Sequence, residues 1–164
     1  MDALISIHPE FVEDILSGKK RYEFRKRSFL KPIERIYIYS TCPQKKIIGY
    51  FLWMGHIEGN LHDVWRQTED YAAISKKKYM QYFRGYDRAY AIIISELYIF
   101  HQEINPWVYE GFSPPQSYCY LKGTKGGLYE QLRDLVSKDR VQRGNSFWGK
   151  KDGGTHQPLG KQYL

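Results

Sequence analysis

Within residues 17–27, SGKKRYEFRKR, a single carboxylate, Glu23, is set among Lys19, Lys20, Arg21, Arg25, Lys26 and Arg27. Two chemistries fit that arrangement. A lysine crowded by other cations gives up its proton more readily, so Lys20 could serve as a base or nucleophile. A nearby carboxylate has the opposite effect: it keeps the lysine charged and suits it to holding phosphate. Glu23 could accept a hydrogen bond from the amino group of a nucleobase while Lys20 or Arg25 meets phosphate, with Arg21 in the same charged set. The plainer alternatives are that Glu23 is an ion-pair partner orienting Arg25, and that much of the run is a solvated face. Ser117, in PPQSY, offers a hydroxyl that could act as nucleophile or phosphate contact, or could cap the turn after Pro114 and Pro115. Tyr118 and Tyr120 could present a stacking face or pack into the core.

Other chemistries lack their residues. His8, His56, His62, His101 and His156 stand apart from one another and from the cysteines, and neither HExxH nor a paired CxxC occurs, so no metal is expected. The stretch GTKGG lacks the strand-to-helix context and the ending of a phosphate-binding loop, so no cofactor is expected either.

A helix and a strand must position the charged set. Pro9 fits a first helical position because it has no N–H to leave unpaired. Phe11, Val12, Ile15 and Leu16 then share one face, and Gly18 suits a left-handed cap. A strand follows over about 21–26. Alternation puts Tyr22 and Phe24 on one side and Arg21, Glu23 and Arg25 on the other. The expectation is that the aromatic pair fills the core, while the charged set faces a basic, solvent-reachable cleft shared with residues 113–118.

Apolar, β-favouring runs predict further strands near 3–7, 33–41, 45–58 and 88–100, and a short aromatic strand or extended segment within 111–121. Leu128, Leu132, Leu135 and Val136 predict an amphipathic helix over 126–138, and NLHDVWRQ and SKKKYMQYFRG read as shorter helices. After Lys138 the chain is Gly-rich, basic and without periodicity. This describes one α+β domain over 1–138, a small mixed β-barrel with flanking helices. An extension over 139–164 is expected to pack on it through Phe147 and Trp148.

A chain of 164 residues can bury one core unaided. Its net charge of +7 favours an anionic partner, most simply nucleic acid. Cys42 and Cys119 are far apart and read as reduced thiols of a cytoplasmic protein. No apolar run reaches the length of a membrane span, and the N-terminus has no basic-then-apolar secretion signal.

With these elements placed, Gly18, Lys20, Glu23 and Arg25 spell G-x-K-x-x-E-x-R directly after a helix. This resembles the signature of the ASCH domain, a branch of the PUA-like β-barrels. ISKKKYMQYFRGYDRAYAI (74–92) and PPQSYCYL are similar to later segments of such domains. The resemblance implies a nucleic-acid-binding module for RNA or a modified nucleobase, with DNA as a further candidate, acting in regulation of transcription or translation. A hydrolase is the alternative, either a ribonuclease or an N4-acetylcytidine amidohydrolase, and a protein-interaction adaptor is the third reading. In the amidohydrolase branch the lysine matching Lys20 is catalytic, and a threonine stands where this chain has Glu23. A further acidic residue of that branch falls in the region of Glu69 and Asp70. Glu23 weighs against deacetylation, so binding ranks ahead of chemistry.

Overall fold

Runs rich in isoleucine and tyrosine build the sheet, and short amphipathic segments cover it. The computed structural model describes residues 1–123, 125–138 and 140–146. In chain order the elements are β1 (Ala3–Ile7), α1 (Pro9–Leu16), β2 (Tyr22–Arg25), β3 (Arg35–Ser40), β4 (Lys46–Asn60), α2 (Leu61–Thr68), α3 (Lys76–Tyr82), β5 (Arg88–Ile104), β6 (Tyr118–Tyr120), α4 (Leu128–Ser137) and β7 (Val141–Ser146). The strands form one mixed sheet in the order β2-β5-β4-β3-β1-β6, with β7 also paired to β5. Only the β1–β3 pair is parallel among the described ladders.

Long strands β4 and β5 carry the curvature. Their register slips between Ile47 and Gly49, between Phe51 and Trp53, and between Trp53 and His56, and such irregularities bend a strand and increase its twist. At Gly49 the two backbones come so close that a Cβ would stand 2.1 Å from the Tyr98 carbonyl oxygen; only glycine fits there. The curl brings β2 round toward β1, four places away in the sheet order, so that an Arg25 guanidinium nitrogen lies 2.8 Å from the Ser6 carbonyl oxygen. A side chain thus spans the seam that backbone pairing leaves open. The result is the expected α+β architecture, a curled half-barrel with flanking helices.

Three apolar clusters hold it together. The interior contains Ile5, Ile36, Ile38, Phe51, Ile92 and Leu97, with Val12 and Ile15 of α1. Tyr22 and Phe24 belong to a second cluster, outside the barrel wall, with Val64 and Trp65 of α2 and Tyr79 next to Phe83 from the α3 end. Leu132 of α4 joins Leu4, Tyr37, Tyr39 and Phe100 in the third.

The second cluster corrects the sequence reading. Alternation separates Tyr22 and Phe24 from Glu23 and Arg25 as expected, but the aromatic pair packs outward under α2 and α3 and the charged pair points inward. Periodicity assigns sides without saying which side is enclosed. Here two amphipathic helices provide the outer cover.

The other expected elements shift by a few residues at their ends; β7 is new. Its sequence, VQRGNS, has no apolar alternation, and its pairing comes from the edge β5 offers. Phe147 and Trp148 lie outside the described residues. No helix among the described residues is long and apolar enough to cross a membrane.

Candidate functional site

The turn after α1 sets the direction of Lys20. Gly18 takes a positive φ of 81°, a conformation glycine adopts at no steric cost, and the Lys20 amide then donates to the Asp14 carbonyl at 2.9 Å. The Lys20 ammonium is thereby swung to the Glu23 side. It lies 3.5 Å from one Glu23 oxygen, donates to the Ala72 carbonyl at 3.3 Å, and stands 5.1 Å from the ring centres of Phe11 and Phe24. Arg25 approaches the other Glu23 oxygen at 3.0 Å.

Lys20, Glu23 and Arg25 are 2%, 7% and 9% exposed. This departs from the expectation of a solvent-reachable charged set. The three charges are enclosed together, with one carboxylate serving both cations. Burial lowers the Lys20 pKa from its ordinary value, Glu23 pulls it back up, and Arg25 adds a further downward push. The single acid among cations therefore has a structural role: Glu23 bridges two buried cations and Arg25 ties β2 to β1.

Residues 113–118 reach this network through Ser6. The Ser6 amide donates to the Ser117 carbonyl at 3.1 Å, its hydroxyl donates to the Pro115 carbonyl at 2.6 Å, and its own carbonyl takes Arg25. Ser117 thus enters through its main chain. Tyr118 packs on Phe29 with ring centres 4.3 Å apart and donates its hydroxyl to the Ser28 carbonyl at 2.9 Å, the packing option of the two read from the sequence. Arg21 lies with its guanidinium carbon 3.7 Å from the ring centre of Tyr71. Glu69 and Asp70 form the start of a short 3-10 turn, Glu69–Tyr71, immediately before Ala72. Two surface grooves lie elsewhere, between α4 and residues 109–112, 121–123 and 125–127, and neither touches the motif.

No protein-family model matches the chain. An ASCH domain-containing ribonuclease of Zymomonas mobilis is 35% identical over 144 residues, covering 83% of this chain and 90% of that protein. The chain belongs to the ASCH domain family. The crystal structure of the ASCH protein from Zymomonas mobilis superposes with a TM-score of 0.69 at 33% identity, covering 83% of this chain and 94% of that one. That of a serine-to-alanine variant gives 0.71 at 32% identity, covering 84% and 95%. The large ribosomal subunit protein uL22 of Ureaplasma parvum is 28% identical over 120 residues, 73% of this chain and 39% of that protein.

On the inner wall of this ASCH domain, cross-strand register sets further polar groups beside the motif. Glu23 and His56 both pair with Ile92 of β5, and Arg25 and Glu58 both pair with Tyr90. Residues directly opposite in neighbouring strands point to the same face, so two rows run across β2, β5 and β4. His56 Nδ1 is 2.8 Å from the Ser28 hydroxyl, and its Nε2 is 3.8 Å from Glu58. Burial lowers the His56 pKa, with Glu58 opposing. Sequence reasoning missed this group because it treated the histidines singly. The i, i+2 spacing of His56 and Glu58 on one strand was the available signal; Ser28 had none.

The ends of the ASCH motif segment, beyond the part that α2 and α3 cover, reach solvent. Lys19, Arg27 and Lys31 are exposed, and Lys26 stands 4.9 Å and 4.7 Å from the ring centres of Tyr82 and Tyr86. Those tyrosines are 39% and 43% exposed, and Tyr71 is 39% exposed.

Proposed function

We propose that this ASCH domain binds RNA along the exposed side chains of residues 19–31, with the buried motif as the frame of that surface. The observation that carries the reading is the alternation of cations and half-exposed tyrosines: Arg21 on Tyr71, and Lys26 against Tyr82 and Tyr86. Cations meet phosphates, while tyrosine faces stack on bases, a combination suited to single strands. Lys20, Glu23 and Arg25 contribute by fixing β2, and Ser117 and Tyr118 by holding the adjoining wall. The net charge of +7 supports an anionic partner.

A second reading, RNA cleavage, is favoured by the 35% identity to a protein named a ribonuclease across most of both chains. Deacetylation through Lys20 finds less support, since its ammonium is enclosed and bound to Glu23 and Ala72.

Fluorescence anisotropy with a labelled single-stranded RNA tests the binding. Affinity should fall by roughly tenfold or more between about 50 and 200 mM salt if several phosphates are contacted. Lys26→Glu and Arg27→Glu should weaken binding more than Lys76→Glu and Lys77→Glu on α3. Equal effects at all four positions would indicate diffuse attraction without a site. Absence of RNA binding would leave the adaptor reading.

A further inference from the structure

The enclosed motif leaves a chemical question. If RNA is cut by this protein, a group must accept the proton of the attacking hydroxyl, and Lys20 is tied to Glu23 and the Ala72 carbonyl and shut from solvent. Another titratable side chain on the same wall has the opposite character. His56 shares the Glu23 row, two strands away, or about 10 Å at ordinary strand spacing. Its side chain is 20% exposed and that of Glu58 is 34% exposed, so substrate can reach both.

We propose that His56 is the general base of RNA cleavage by this domain, with Ser28 and Glu58 as its positioning residues. This rests on RNA being the ligand and adds where the chemistry occurs. Ser28 holds Nδ1 at 2.8 Å, so the ring cannot turn freely. When Nδ1–H donates to the Ser28 hydroxyl, Nε2 is left as the acceptor. Glu58, 3.8 Å from Nε2, is too distant for a direct hydrogen bond, yet close enough to stabilise a proton that arrives there. A hydroxyl placed beside the two can contact both.

The neighbours fit a phosphodiester. Trp53 and Tyr90 flank the imidazole, with ring centres 5.8 and 5.4 Å away, and give a nucleobase flat surfaces to pack against. Arg88, 3.5 Å from Glu58 with a side chain 54% exposed, supplies a cation for the charge that develops on phosphorus oxygens. Charged and titratable groups facing the site are Glu58 on β4, Arg88 and Tyr90 on β5, and Glu23 and Arg25 on β2, with Tyr118 of β6 behind Ser28. Burial disfavours the charged imidazole more than Glu58 restores it, which favours the neutral form a base requires.

Besides the RNA the step needs only water. The proton of an RNA 2′-hydroxyl passes to Nε2, the 2′-oxygen bonds to the adjacent phosphorus, and the bond from phosphorus to the 5′-oxygen breaks. The departing oxygen takes a proton from water, and the proton later released by His56 neutralises the hydroxide so formed. The products are a 2′,3′-cyclic phosphate and a 5′-hydroxyl end.

Single-turnover cleavage of a labelled RNA at saturating protein tests this, with fragment ends identified by mass spectrometry. The full chain should yield cyclic phosphate ends and leave the 2′-O-methylated RNA and the matching DNA intact. His56→Asn should lose about 100-fold or more in rate, and His56→Gln, checked for folding by its thermal melt, should behave alike. Glu58→Gln should lose less. The rate of the parent protein should fall as pH is lowered through the imidazole titration, and that limb should vanish from residual activity in His56→Asn. Cleavage at the parent rate by either His56 variant, or fragments without cyclic ends, overturns the proposal. Binding of RNA with no cleavage by the parent protein overturns it while leaving the binding reading intact, and absence of binding overturns that reading too.

Discussion

Two polar groups on the same inner wall behave differently because of how many partners each has. Glu23 is held by Lys20 and Arg25, and those cations are held in turn by the Ala72 and Ser6 carbonyls. Each charged side chain there has at least two partners, and almost nothing reaches water. His56, two strands away along the same row of side chains, has one firm hydrogen bond to Ser28 and one loose neighbour in Glu58. The first group is built to hold β2 in place; the second retains an unfilled contact and partial exposure. A signature motif can therefore be the frame of a site, with adaptable chemistry set beside it.

Removing the bridge should break this comparison most visibly. Glu23→Ala leaves two cations enclosed without a counter-charge, and breaking a buried pair from one side costs about 3–5 kcal/mol. Urea unfolding reads the loss directly. A change below about 1 kcal/mol would place Glu23 with ordinary surface ion pairs and end the contrast. Lys20→Met should cost less, roughly 2 kcal/mol, a value typical of a hydrogen bond to a charged group. Glu23 keeps Arg25 in that variant, and the methionine keeps the contacts with Phe11 and Phe24. A larger loss than for Glu23→Ala would make the lysine, and not the carboxylate, the centre of the network.

Much of this frame was legible in the sequence for a physical reason. Pro9, the spacing of Phe11 through Leu16, and Gly18 fix a helix and its stop through local rules. The alternation of Tyr22 and Phe24 with Glu23 and Arg25 fixes a strand in the same way. What local rules omit is which side the rest of the chain will cover. Tyr22 and Phe24 go outward because α2 and α3, far along the chain, close over them. His56 and Ser28 meet because β2 and β4 flank β5 in the sheet, so their contact is a property of the assembled sheet and not of spacing. VQRGNS becomes a strand because β5 has an edge to pair with. Its own side chains do not announce it.

On the more open group, Tyr118→Phe should cost about 1 kcal/mol, the net value of one hydrogen bond, because the hydroxyl that holds the Ser28 carbonyl is lost while packing on Phe29 stays. If the wall beside His56 depends on this bond, cleavage should fall along with stability. Unchanged stability would mean that Phe29 alone positions the Ser28 turn.

The smallest effect expected is also the most specific to His56. Its folded pKa lies below the ordinary 6.5 because burial disfavours the charged ring more than Glu58 restores it. Between the folded and unfolded values the unfolded chain binds more protons, so stability rises with pH across that interval. The contribution is fully present above 6.5 and is lost as pH falls through the folded value. Carboxylates such as Asp63, whose pKa is lowered by hydrogen bonds from Asn60 and Arg66, lose their own contribution at more acid pH, so the overall curve mixes several groups. The difference between the parent protein and His56→Asn isolates the imidazole. Urea unfolding free energies measured from pH 7.5 downward (about one unit either side of the ordinary histidine value) should show the parent losing stability relative to the variant. Parallel curves would mean that His56 titrates as a solvated histidine. It would then lack the enclosure that distinguishes it from a surface ring, and the case for a neutral base beside the motif would fall with it.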